Sequence, residues 1–108
     1  MRQDMKSLLK LMVEKNASDI HITAGAPVQL RIDENLVAVD SDILEADDTR
    51  ELVYSMLSKA QTDKFEEVLE LDMAFSVEEL GRFRVNVFKD RGTVAAAFYP
   101  RPVIVRLS

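Results

Sequence analysis

The chain has 108 residues, 47% of them hydrophobic and 31% charged, with a formal net charge of −5. That length suits one domain with a single core and is too short for an enzyme of two lobes, while the balance is that of a globular chain rather than a disordered or membrane-spanning one. The absence of cysteine excludes disulfides and thiolate metal sites, the lone histidine cannot build a histidine metal site by itself, and the net negative charge argues against nucleic acid as the main partner. No apolar run approaches the ~18 residues of a membrane span. Met5 to Val13 is broken by Lys6, Ser7 and Lys10, so no signal peptide is read there and a cytoplasmic location is expected.

Met5, Leu8, Leu9, Met12 and Val13 fall on one stripe of an amphipathic helix spanning Asp4 to Lys15. Asn16-Ala17-Ser18 ends it. Asp19 to Thr23 alternates as a strand, with Ile20 and Ile22 on one face and Asp19, His21 and Thr23 on the other. Gly25-Ala26-Pro27 turns the chain into a second strand, Val28 to Ile32, and Asp33-Glu34-Asn35 closes a hairpin to a third, Leu36 to Val39.

After Leu44 the apolar period lengthens from two to that of a helix. Asp48 with Glu51 predicts a capping box ahead of Leu52, Val53, Met56 and Leu57. Ser58 with Gln61 predicts another, opening a helix with Phe65, Val68 and Leu69 inward. Its outer positions, Asp63, Glu66, Glu67 and Glu70, read as a solvated face. Leu71 to Val77 returns to period two, with Leu71, Met73, Phe75 and Val77 inward.

Gly81 to Phe98 is the stretch around which the rest is arranged. Alternation places Phe83, Val85 and Val87 on one face of a strand and Arg82, Arg84, Asn86 and Phe88 on the other. Asp90-Arg91-Gly92 is the turn, with Gly92 free to take positive φ. Val94, Ala96 and Phe98 form the apolar face of the return strand, and Ala95 and Ala97 are small enough to allow a close approach. Pro100 is expected to stop that strand, and Val103 to Ser108 reads as a linker stub or tail. The order α-β-β-β-α-α-β-β-β predicts an α+β domain, a mostly antiparallel six-stranded sheet with helices packed on one face.

Candidate site residues follow from these faces. Arg82 and Arg84 on the polar strand face and Arg91 at the tip are either solvated charges or one contact set. Asn86 is placed to order the turn or bond across strands. Asp19 and His21 share a face, as a metal or acid–base pair would, but two ligands close no metal site and no nucleophile stands in relation to them; a local hydrogen-bonding role fits better. Met5, Met12, Met56 and Met73 read as core filling rather than a soft-metal site.

ASDIHITAGAPVQLRID (Ala17 to Asp33), KFEEVLELDMAFSV (Lys64 to Val77) and GRFRVNVFKDRG (Gly81 to Gly92), in this order and spacing, resemble the N-terminal domain of the type IV pilus retraction ATPases, within the secretion and pilus-assembly ATPases. The resemblance runs over roughly Met5 to Phe98. It implies a PAS-like domain over residues 1–99 followed by a RecA-like ATPase domain, in a homo-hexameric ring that uses ATP and Mg. These residues contain no G-x-x-x-x-G-K-[ST] and only three glycines, so this stretch carries no phosphate cradle and is expected to bind no cofactor by itself. Where the family continues Phe-Arg-x-Ile-Pro, this chain has Phe98-Tyr99-Pro100-Arg101-Pro102, with Tyr99 in the arginine's place.

The resemblance implies a non-catalytic module of a twitching-motility retraction motor. Its strand arginines, Arg84 and Arg91 first and Arg82 third, would face ATP held by a neighbouring subunit's ATPase domain. The motor would work in the cytoplasm, peripheral to the inner face of the cell membrane, where a platform protein of the pilus is a further partner. A stand-alone PAS-like sensing or protein-interaction domain is the rival reading; it needs an enclosed ligand pocket, which these core residues look sufficient to fill. A small enzyme lacks a nucleophile or metal constellation.

Overall fold

The computed structural model describes residues 4–39 and 42–101. The proposed tail, Val103 to Ser108, lies outside them. Helix α1, Met5–Glu14, starts at Asp4, whose carboxylate accepts the Ser7 backbone N–H at 2.8 Å. Met5, Leu8, Leu9 and Met12 are buried, while Val13, at the margin of the stripe, is exposed. Strands β1 (Asp19–Ile22), β2 (Gln29–Ile32) and β3 (Asn35–Ala38) form a meander. The second hairpin turns through Asp33 and Glu34, both at positive φ (49° and 72°), as a two-residue turn matched to strand twist requires.

Helix α2, Ala46–Tyr54, begins one turn earlier than the sequence pattern suggests. Asp48 lies inside the helix at its third position, and its carboxylate accepts the Glu45 N–H at 2.8 Å. The box is therefore Glu45 with Asp48, not Asp48 with Glu51; carboxylates three apart occur twice in this stretch, and spacing alone does not choose between them. Helix α3, Lys59–Val68, has the expected box: Ser58 Oγ accepts the Gln61 N–H at 3.1 Å and Gln61 Oε1 accepts the Ser58 N–H at 2.9 Å. Phe65 is buried and meets Tyr54 edge to face. Leu69 (49% exposed) does not face inward, because it takes a left-handed conformation (φ 66°) that ends the helix and turns it into β4, and Val68, the last residue of the helix, is 58% exposed.

β4 (Glu70–Val77), β5 (Gly81–Asp90) and β6 (Thr93–Arg101) complete a six-stranded sheet in the order β3-β2-β1-β6-β5-β4, with every pairing antiparallel. The first and last strands meet in the middle, Ile20 opposite Phe98. The helices cover one face. Ile20, Ile22, Phe83, Val85, Val87 and Phe98 from the sheet join residues of all three helices in one apolar core, and α2 packs across β6, where Ala96 leaves room for it. Pro100 does not stop β6, which runs to Arg101 opposite Arg82. Beyond Phe98 the strand has no register partner in β1, and a proline is tolerated along such an edge.

Candidate functional site

The other face of the sheet carries the polar residues. Register places Gln29, His21, Ala97, Asn86 and Asp72 side by side across five strands, with Arg84 beside Tyr99 and Arg82 beside Arg101 in the next positions along β5 and β6. Ala95 and Ala97 point to this face but are buried, sunk between larger neighbours in the central strand. Arg84, Asn86, Tyr99, Pro100 and Arg101 line a shallow open depression of about 480 Å³ at the end of β5 and β6 remote from the turn.

Arg82 and Arg84 stand exposed on this face, as the alternation requires. Arg91 occupies the tip, at φ 53° with Gly92 at 81°; both central residues of the two-residue turn are left-handed, not Gly92 alone. The three arginines do not converge. Seven residues of strand separate Arg84 from Arg91, roughly 23 Å of backbone at ~3.3 Å each. Arg82, Arg84 and Arg101 make one group at the depression, and Arg91 stands apart. Among the described residues, Arg82, Arg91 and Arg101 form no ion pair. Asn86 lies well down the strand from the turn and lines the depression instead of ordering the turn.

Arg84 is held by a residue the sequence reading did not single out. Its Nε and Nη2 donate to the two carboxylate oxygens of Asp72, at 3.3 and 3.0 Å. Asp72 sits on β4 opposite Asn86, so this is a diagonal cross-strand pair. The hydrogen bond from Arg84 holds the Asp72 carboxyl below its ordinary range, and the same bond raises the guanidinium. Alternation alone puts Asp72 outward; its partner becomes visible only with the register. Arg101 was hidden for another reason, since Pro100 made the strand seem finished.

A second polar group surrounds Asp19, whose side chain is 9% exposed. Its carboxylate accepts Ser18 Oγ–H at 2.6 Å and Arg31 Nε–H at 3.3 Å and is bonded to His21 Nε2. Burial pushes this carboxyl up, but the bonds from Ser18, His21 and Arg31 outweigh it and hold it below its ordinary value of 3.8. The bonded group fits the local structural reading, and among the described residues no cluster of three or more His, Cys, Asp or Glu could hold a metal. A carboxyl with a depressed folded-state pKa stabilises the fold above the unfolded value, and that contribution is lost as pH falls through the folded value. Asp19→Asn should therefore cost about 1 kcal/mol or more at pH 7, and the gap to the wild type should close below pH 3.8. Urea melts at pH 7 and pH 3 check it; an unchanged gap would contradict the assignment.

Comparison with known proteins defines the class first. The solved pilus retraction motor PilT with bound ADP superposes with a TM-score of 0.89 at 37% identity, over 97% of this chain and 31% of that one. The Legionella pneumophila ATPase DotB shares the fold, with a TM-score of 0.80 at 21% identity over 94% of this chain. The α+β fold is thus one shared with a pilus retraction motor and with a Legionella pneumophila ATPase. In sequence it is 34% identical to the type IV pilus retraction ATPase PilT of Pseudomonas aeruginosa over 99 residues and 37% identical to the type IV pilus ATPase PilU of the same organism over 91. The chain is homologous to the N-terminal region of these type IV pilus ATPases. It spans 29% of the length of PilT and 24% of PilU. No protein-family model matches it.

Proposed function

We propose that this chain is the non-catalytic N-terminal module of a type IV pilus retraction ATPase, packing on the ATPase domain of a neighbouring subunit and presenting arginines to the nucleotide held there. The observation that carries the reading is the likeness to PilT over nearly the whole chain, in a protein solved with ADP. The donor set fits a phosphate group offered from outside: Arg84 is oriented, Arg82 and Arg101 stand beside it, and Asn86 lines the same depression. Bound Mg-ATP would supply the phosphoryl group, and the guanidinium of Arg84 would balance charge on its oxygens. Arg91, a strand's length away, would meet a different part of the neighbour. The assembly would be a homo-hexamer in the cytoplasm, at the inner face of the membrane beside a platform protein of the pilus; no described helix is long and apolar enough to cross a membrane.

Alone, the chain should neither bind Mg-ATP tightly nor hydrolyse it, because its residues include no phosphate loop. Calorimetric titration and a phosphate-release assay check this. Binding with a Kd of about 1 μM, or measurable turnover, would overturn the division of labour.

A further inference from the structure

We propose that Asp72 is a positioning residue for Arg84: it grips one edge of the guanidinium and leaves the other edge free, already aimed, for the phosphoryl group. This rests on the reading above that Arg84 meets nucleotide. The argument is geometric. A guanidinium has five N–H donors in a fixed plane, and Asp72 takes the side-on pair, one from Nε and one from Nη2. Nη1 keeps both of its hydrogens and Nη2 keeps one, so the end-on edge can still make a two-point contact with a phosphate.

The side chain needs such a hold. Arg84 is 62% exposed and Asp72 52%, so little packing fixes the long stem, and an unheld arginine would lose rotamer freedom on meeting its ligand. Asp72 itself is short and rooted in β4, paired with β5 along its whole length. The carboxylate also draws the head diagonally, away from Ala74 directly opposite and along β5 to the level of Asn86, on the β4 side of the strand. Exposed ion pairs of this kind add little to stability, so the pair's value would be in orientation.

The test compares Asp72→Asn, Asp72→Glu, Arg84→Lys and the double variant Asp72→Asn with Arg84→Lys in the full-length protein, by ATPase kinetics and thermal melting. The expected result for Asp72→Asn is a kcat lowered by about three- to tenfold with KM for ATP and Tm nearly unchanged. Asp72→Glu should recover part of the loss, and Asp72→Asn should add nothing once Arg84 is lysine. Full activity of Asp72→Asn beside an impaired Arg84→Lys would overturn the positioning role and leave the proposed function standing. A faster Asp72→Asn enzyme would make Asp72 a competitor for Arg84 and also overturn it. No effect from any variant would overturn both readings. An Asp72→Asn loss that persists undiminished in the Arg84→Lys background would show that Asp72 does not act through Arg84.

Discussion

Replacing Phe83 by alanine is expected to destabilise the domain by about 3–5 kcal/mol. The ring is 1% exposed and lies in the core, between Phe75 on β4 and Pro100 on β6 in register. Its removal takes away an aromatic side chain where the surrounding backbone, pinned by pairing on both sides, cannot collapse into the space. A domain of this size has only about 5–15 kcal/mol to lose, so the variant should unfold at markedly lower urea. A loss below about 1 kcal/mol would mean that the strand faces are reversed.

The second large effect concerns Arg84. In the full-length protein, Arg84→Lys is expected to leave folding and ring assembly nearly intact and to lower the ATPase rate at least about tenfold, roughly 1.4 kcal/mol of transition-state stabilisation. Lysine keeps the charge but is a point donor; it cannot hold Asp72 through one edge and a phosphate through the other. Because the pair with Asp72 is exposed, its loss alone should hardly move Tm. Arg31, which suggests itself from sequence as the control, is unsuitable, since its Nε bonds the buried Asp19 and its Nη1 the Glu34 carbonyl. Arg50 on α2 is the better one, 59% exposed and with a 3.8 Å contact to Asp47 within its own helix. Equal, small effects of Arg84→Lys and Arg50→Lys on rate would return the hairpin arginines to solvated surface charge.

How far the sequence reached depends on the range of each interaction. Period two on β5 assigns Phe83, Val85 and Val87 to the core correctly, because alternation is a property of a single strand against a single core. The Ser58–Gln61 box is likewise local and came out as read. Strand order was not readable: β1 lies beside β6, and nothing in either segment names the other. The same gap hid the grip on Arg84, since a diagonal pair such as Asp72 with Arg84 exists only once the register of two strands is set. Leu69 was misplaced because the helical period was carried onto the left-handed residue that ends it. The spread of the arginines was implicit in the sequence; counting strand residues between Arg84 and Arg91 already sets their backbone positions roughly 23 Å apart.

The central claim is that this domain meets an ATPase domain through the open face of its sheet. Amide chemical shifts of the isotope-labelled chain, recorded while the nucleotide-loaded ATPase domain of the same protein is added, test it most directly. The account predicts changes centred on Arg82, Arg84, Asn86, Tyr99 and Arg101, which share the depression and the positions beside it. Shifts confined to the outer helical faces, at Lys6, Lys10 and Glu67, or no shifts at all, would contradict it.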